Sequence, residues 1–390
     1  MNSFTYWTPT KVVFGADTAN LAGSEVKSFG GTNALVIYGG GRAVKSGLLE
    51  TVTQSLSAQG ISYHCVGGVQ PNPLIELVQQ IVDEHKDNGI DFVLGVGGGS
   101  VLDTAKATAH GLASPENPVW DFFCGKAVEK SLPVGVVLTI AAAGSEMSNS
   151  SVLTNQALGT KRGLKTQFNR PAFAIMDPVL TYSLPARETA CGITDILMHT
   201  IERYFGAGSD NAITDELAAA LMRVVIRYGI EVLENPSDYK ARSEIMWAGS
   251  LSHNGLTGLG QTEDFATHQL GHALSAKYDT PHGESLSAVW PSWANHVLPE
   301  NVSRFAQYAR SVWGIADNDN EKAAEAGIEA TKDFFHSLGM PTTLTQAVGA
   351  GVKNDLEELT RLCTYDFSRT IGFLKVLDDD DIRAIYNAAL

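Results

Sequence analysis

The stretch Asp91-Phe92-Val93-Leu94-Gly95-Val96-Gly97-Gly98-Gly99-Ser100-Val101-Leu102-Asp103-Thr104-Ala105-Lys106 decides the fold. Phe92 to Val96 is a short apolar run and reads as a strand buried on both faces. Three glycines and a serine follow, and a helical pattern then runs from Val101 to Gly111. Glycines let backbone N–H groups approach an anion with no Cβ in the way, and the start of a helix adds positive potential. The run is not G-x-G-x-x-G and lacks the Walker GK[ST], so neither standard nucleotide fingerprint applies.

The same rhythm repeats on either side. Ala34 to Tyr38 reads as a strand running into Gly39-Gly40-Gly41. A helix is predicted from Val44 to Gln59, a strand from Ser62 to Val66, and a helix from Pro73 to Asn88 with the proline in its first turn. Val134 to Leu138 and Ala172 to Met176 read as further strands. Alternation of this kind predicts an α/β domain, its mostly parallel sheet covered by helices on both faces. Ser150 to Thr154 and Gly163 to Phe168 flank Gly159-Thr160-Lys161-Arg162 and read as a hairpin around that turn. Small residues again follow an apolar strand in Leu138-Thr139-Ile140-Ala141-Ala142-Ala143-Gly144-Ser145. Two such loops at strand C-terminal ends mark where open α/β sheets bind ligands.

From Pro185 the pattern changes. Helical periodicity covers Arg187 to Phe205, Asn211 to Leu233, Ser237 to His253, Glu263 to Lys277 and, last, Asp381 to Ala389, and strand signals nearly vanish. The expected organisation is an α/β domain over 1–184, the nucleotide-binding part in the resemblance given below, and an all-helical domain over 185–390, which carries the candidate metal ligands given below. The run Asp378 to Asp381 reads as the solvated N-terminal cap of the last helix.

Composition narrows the function. In 390 residues, 44% are hydrophobic, enough for large cores. A net charge of -15 opposes binding to nucleic acid or an anionic membrane as a main role. The four cysteines, Cys65, Cys124, Cys191 and Cys363, contain no C-x-x-C, which fits reduced thiols in a cytoplasmic protein. Met1 to Pro9 shows no basic segment followed by an apolar one, so no secretory signal is expected. No apolar run approaches the roughly 20 residues needed to span a bilayer.

Of ten histidines, five (His199, His253, His268, His272 and His282) fall within 199–282. Asp195 and His199 are spaced i, i+4, as are His268 and His272, so each pair shares one face of a helix. Pro281 ends the second segment and His282 follows in what reads as a loop. Two such pairs facing each other, with the loop histidine, make a carboxylate–imidazole metal site of the kind that suits Zn(II), Fe(II), Ni(II) or Co(II). Apolar neighbours such as Ile193, Leu197, Leu270 and Leu274 would bury these polar groups, which is costly without a shared ligand. His253 reads as structural.

Taken together, GGGSVLDTAK (97–106), TIAAAGSEMS (139–148), DPVLTYSLP (177–185), GITDILMHTIE (192–202) and HQLGHALSAKYDTPHGES (268–285) resemble the iron-dependent (group III) alcohol dehydrogenases, along essentially the whole chain. The motifs look closest to the branch of NADP-dependent butanol dehydrogenases and broad-specificity aldehyde reductases. The resemblance implies a dehydroquinate synthase-like two-domain fold, a Rossmann-like N-terminal domain and an all-helical C-terminal domain, with the active site in the cleft. It implies that Asp195, His199, His268 and His282 ligate one divalent metal, Fe2+ or Zn2+, with His272 a nearby non-ligand acting in proton transfer or substrate contact. It implies that Gly97, Gly98, Gly99 and Ser100 hold the cofactor pyrophosphate and that Asp103, Thr139 and Ser145 line the nucleotide site. The family often has Thr where this chain has Ala143, so one hydroxyl contact to the cofactor is expected to be missing. The implied reaction passes a hydride between a nicotinamide and a primary alcohol or aldehyde.

NADP is expected over NAD. NAD sites usually place a carboxylate on the ribose hydroxyls, where it would repel a 2′-phosphate. Here the first strand of the sheet motif runs into Gly39-Gly40-Gly41-Arg42, with no Asp or Glu before Glu50. Arg42 or Lys45 can neutralise a phosphate there, and Lys161 matches a position that the resembling NADP-dependent enzymes use. An edge strand near Lys11 to Phe14 suggests a homodimer. The alternatives are a glycerol dehydrogenase-like polyol oxidoreductase, a dehydroquinate synthase-like lyase and a non-catalytic nucleotide-binding protein. The lyase would require a basic cluster for an anionic substrate, whereas apolar, small and aromatic residues surround the candidate metal ligands.

Overall fold

The computed structural model describes residues 1–208 and 211–390, which form two compact units: Trp7–Ser183, and Leu184–Leu390 together with Met1–Tyr6.

The first unit is α/β. Its strands are β1 (Lys11–Phe14), β2 (Asn33–Tyr38), β3 (Ser62–Val66), β4 (Phe92–Gly97), β5 (Val134–Leu138), β6 (Ser150–Asn155), β7 (Thr160–Lys165) and β8 (Phe173–Met176). Six of them make a wholly parallel sheet in the order β1-β8-β5-β4-β2-β3. The helices are α1 (Ala22–Ser28), α2 (Gly41–Lys45), α3 (Leu48–Ala58), α4 (Ile75–His85), α5 (Gly99–Ala113) and α6 (Val119–Phe123). The central strands β4, β5 and β8 are buried along their whole length, as a sheet covered on both faces requires. On one face Val26, Val52 and Leu56 pack on Val36, Leu94 and Ile175. The chain leaves β2 toward β3 and returns to β4 on the other side of β2, so the strand order reverses between β2 and β4. At that switch the C-terminal strand ends present a ligand crevice. The register Tyr38↔Val96 sets Gly39, just past β2, beside Gly97, the last residue of β4.

Several boundaries differ from expectation, each for a local reason. The helix expected from Val44 to Gln59 is two helices, because Gly47 is left-handed with φ 77°. The helix expected from Pro73 begins at Ile75, because Leu74 is extended and bridges Thr154 while the Pro73 carbonyl accepts from the Thr154 N–H at 2.8 Å. The hairpin forms, but Thr160, Lys161 and Arg162 belong to strand β7; the turn shrinks to Gln156–Gly159, with Gly159 at φ 59°. Helix α5 starts two residues early, at Gly99.

The second unit is helical: α7 (Ala186–Tyr204), α8 (Ala212–Glu234), α9 (Tyr239–His253), α10 (Ala266–Tyr278), α11 (His282–Trp313), α12 (Asn320–Ser337), α13 (Leu344–Val348), α14 (Leu356–Cys363) and α15 (Asp379–Ala388). Helix α10 cannot begin at Glu263 as expected, because Phe265 is left-handed at φ 56°; the Asp264 carboxylate caps the new start by accepting from the Ala266 N–H at 2.9 Å. His282 is not in a loop. Pro281, at φ -52°, opens α11 and makes His282 its first residue. The acidic run does cap α15, where Asp378 and Asp381 form a capping box. Met1–Tyr6 joins this unit, with the Asn2 N–H donating to the Gly260 carbonyl at 2.8 Å. Among the described residues no helix is long and apolar enough to cross a membrane.

Candidate metal centre and cofactor loops

Helix α7 carries Asp195, His199 and Glu202 at i, i+4 and i+7, along one face. The three side chains are almost completely buried. Helix α10 brings His268, also buried, and α11 begins with the half-buried His282. Asp195 Oδ1 lies 3.3 Å from His199 Nδ1, 3.6 Å from His268 Nε2 and 3.7 Å from His282 Nε2. One ligand atom from each of Asp195, His268 and His282 lies within 4.8 Å of the others. His199 lies outside that set and meets it only at Asp195 Oδ1. Its ring centroid lies 4.5 Å from that of His268.

These spacings fit a divalent ion. Ligand atoms about 2.0–2.1 Å from a tetrahedral ion stand about 3.3–3.4 Å apart, and the three contacts to Asp195 Oδ1 lie at or just above that spacing. Asp195 Oδ1, His199 Nδ1 and His268 Nε2 are buried and have no hydrogen-bond partner. Buried polar atoms of this kind cost stability unless something satisfies them. One carboxylate with several imidazoles is the borderline-soft set that iron and zinc accept.

Electrostatics differ sharply between the histidines. Burial, then His253 and His268, push His199 well below the usual imidazole range, so it is neutral and ready to ligate. Burial also opposes charge on His268, but Glu202 and Asp195 outweigh it and raise that imidazole to about 9. Beneath the cluster, Arg203 donates to the carbonyls of His199 and Ser252, both at 2.9 Å, and pairs with Glu263 at 2.9 Å.

His272 stands one turn beyond His268 and outside the group around Asp195. It is half-buried, its ring centroid 5.4 Å from that of His282 and 6.3 Å from that of His268. Two neighbours escape sequence reasoning. His253, at the end of α9, lays its ring 4.0 Å from that of His199. Glu202 accepts from both the backbone N–H and Nδ1 of His268. Its i+7 relation to Asp195 was a readable signal; His253 was counted in the histidine cluster but read as structural, because only tertiary packing brings α9 to α7.

In the α/β unit, the residues expected to hold cofactor lie at the C-terminal strand ends. Gly97 is required by packing, since a Cβ there would meet Val101 Cγ2 at 2.5 Å. Gly98 caps α5 with no side-chain bond to the first turn, leaving the helix start open to an anion. Ser100 follows in that turn, and the Thr139 N–H donates to the Gly97 carbonyl at 3.0 Å, tying the two loops together. Asp103 and Ser145 are committed internally. The Ser145 hydroxyl donates to Asp103 at 2.7 Å and accepts from Lys106 Nζ at 2.7 Å, and Asp103 also accepts from the Val152 N–H at 2.9 Å. Lys106 is wholly buried, and burial pulls its ammonium down to about 8 against the pull of Asp103 and Glu146. The three side chains form a strut between α5 and the 139–152 segment. At the end of β2, a Cβ on Gly40 would meet nothing within 4 Å, and Arg42 and Lys45 are exposed on α2. Lys161 is mostly buried and donates to Asn72 at 3.0 Å.

Comparison with known proteins agrees with this picture. Residues 9–178 match the iron-containing alcohol dehydrogenase family, and residues 189–390 match the C-terminal part of the Fe-containing alcohol dehydrogenase family. The chain is 36% identical over 389 residues to the NADH-dependent butanol dehydrogenase A of Clostridium acetobutylicum, covering 99% of each chain. It is 36% identical over 348 residues to the NADPH-dependent aldehyde reductase YqhD of Escherichia coli, covering 88% of this chain and 89% of that one. The crystal structure of NADH-dependent butanol dehydrogenase A from Thermotoga maritima superposes with a TM-score of 0.96 at 34% identity, covering 100% of this chain and 99% of that one. A parallel α/β unit, a helical unit bearing a carboxylate–imidazole cluster and matches spanning both halves converge: the chain is an oxidoreductase belonging to the iron-containing alcohol dehydrogenase family.

Proposed function

We propose that this protein interconverts primary aldehydes and alcohols of butanol size with a nicotinamide cofactor, NADP(H) in preference to NAD(H), at a single divalent iron or zinc ion held by Asp195, His199, His268 and His282. The observation that carries the reading is the single Asp195 oxygen lying 3.3–3.7 Å from three imidazole nitrogens in a buried pocket.

When bound, the metal supplies Lewis acidity to the substrate oxygen and the nicotinamide supplies or takes the hydride. The chain's own residues do the rest. Asp195 contributes the one negative charge among the proposed ligands, and burial keeps His199 neutral. His272, beside His282 but away from Asp195, moves a proton on the substrate side. An imidazole titrates near neutrality and suits that exchange. The α/β unit, residues 1–184 in this reading, holds the cofactor. Gly97 to Ser100 and the start of α5 bind the pyrophosphate, with Thr139 beside them. Asp103 and Ser145, braced by Lys106, keep the two loops in place. Gly39 to Arg42 receive the adenosine ribose, and their lack of a carboxylate supports NADP(H). Lys161 adds positive charge on the hairpin.

Relatives with butanol dehydrogenase and aldehyde reductase names support this substrate class over a polyol or a phosphorylated acid. The exposed edge strand β1 supports a homodimer, and the four free cysteines support a cytoplasmic setting. The deciding experiment measures butanal reduction with NADPH and with NADH on metal-analysed enzyme. Turnover that needs one equivalent of iron or zinc supports the reading. Full turnover after complete metal removal overturns it.

A further inference from the structure

Glu202 is a carboxylate with no solvent exposure, in the middle of a helical unit. Burying such a group is costly unless it is paired and hydrogen-bonded. Among the described residues its one ion-pair partner is His268. The neighbouring Arg203 turns elsewhere, to Glu263 and to the carbonyls of His199 and Ser252. Glu202 meets His268 twice. Oε1 accepts from the His268 backbone N–H at 3.1 Å, and Oε2 accepts from the ring Nδ1. Two contacts from one rigid carboxylate fix both the position of the α10 backbone and the rotation of the ring.

The consequence lies on the other side of the imidazole. With Nδ1 engaged by Glu202, Nε2 is the nitrogen left to face Asp195 Oδ1, 3.6 Å away, and it is buried with no hydrogen-bond partner. To ligate a metal, the ring gives up its Nε2 proton and keeps one. A carboxylate at Nδ1 keeps that proton there and leaves the Nε2 lone pair directed at the centre.

We propose that Glu202 is a positioning residue for the metal centre: it holds His268 in the Nδ1–H tautomer and aims Nε2 at the ion, without touching the ion. The proposal rests on the reading of Asp195, His199, His268 and His282 as metal ligands. Carboxylate partners of ligating histidines typically contribute ten- to hundredfold in metal affinity, and that is the size of effect expected here.

The test loads metal-free full-length protein with Co(II), measures its dissociation constant by competition with a chelator, and records the visible spectrum. Wild type, E202Q, E202L and H268A are compared, with the thermal midpoint of each metal-free protein as a control. Wild type should bind one equivalent and H268A should lose it. E202Q, close to isosteric, should bind one equivalent about ten- to hundredfold more weakly with a shifted spectrum, and E202L more weakly still. Wild-type affinity and spectrum in E202Q and E202L, with loss of metal in H268A, overturn the positioning role and leave the ligand set intact. Undiminished metal in H268A overturns the ligand set itself. Where a variant does not fold, Zn(II)-loaded wild type with 15N-histidine decides. A His268 Nδ1 proton, with Nε2 shifted by the metal, supports the proposal, and a metal-shifted Nδ1 overturns it.

Discussion

The ring of His253 lies across the ring of His199, centroids 4.0 Å apart and planes 34° from parallel. One histidine at the end of α9 thus supplies a wall against which a proposed ligand on α7 is held. Aromatic pairs of this kind contribute about 0.5–1.5 kcal/mol beyond burial. His253→Ala should therefore weaken metal binding about two- to tenfold, and His253→Phe should restore most of it. Metal titration of the two variants checks this, and equal affinities would show that the ring face is not what matters.

Loss of a proposed ligand should act differently. Asp195→Ala and His268→Ala each remove a donor from a buried set, and both stoichiometric metal and turnover should disappear. A Lewis acid contributes several kcal/mol at the transition state, so turnover should fall by about a thousandfold or more. Elemental analysis alongside butanal reduction reads both effects.

His272→Ala should keep its metal. Its ring stands beside His282 but outside the group around Asp195, so the ligands remain while a proton-transfer group is lost. Turnover should fall by about 10²–10⁴-fold, with one limb of the pH profile flattened. Metal loss in this variant would make His272 a ligand instead.

Cofactor choice is testable at Gly40. A Cβ there meets nothing within 4 Å and the residue has φ -70°, so an aspartate fits without strain. Any change in Gly40→Asp is then a charge effect. The ratio of kcat/KM for NADPH over NADH should exceed one in the wild type and collapse in the variant. A wild-type ratio at or below one would reverse the assignment.

Acid should loosen the α/β unit through His110. Its Nε2 bonds Asn169 at 2.8 Å and its Nδ1 bonds Ser131 at 2.9 Å. Burial, with a smaller push from Lys106, lowers the ring to about 4, from an unfolded value near 6.5. The folded value is the lower one, so the neutral ring's contribution is fully present above pH 6.5. It is lost as pH falls toward 4, by roughly 3 kcal/mol in all. Denaturant unfolding at pH 7 and pH 5 should show this slope in the wild type and a flatter one in His110→Gln.

Much of the architecture was legible because parallel βα units repeat a strong local signal. Phe92 to Val96 reads as a strand buried on both faces, and it is one, but the glycines after it pass from strand to helix with only Gly98 between. What local pattern missed was set by contacts distant in sequence. Pro73 is drawn out of a helix by its bond to Thr154. Pro281 could be read as ending one segment or opening the next, and only the packing of α11 chooses. In the site, the i, i+4 pairs announced Asp195, His199, His268 and His272. Glu202 was visible on the same stripe but undistinguished from a solvated glutamate, because burial is not written in the spacing.

The grouping of Met1–Tyr6 with the helical unit bears on how the chain is made. During synthesis those six residues emerge ahead of the α/β unit, yet the Gly260 carbonyl that Asn2 engages is made only after that unit. Until Gly260 is made, those six residues have no docking partner. A bulky group fused ahead of Met1, which lies against Gly260, would therefore burden the helical unit rather than the α/β unit beside it in sequence.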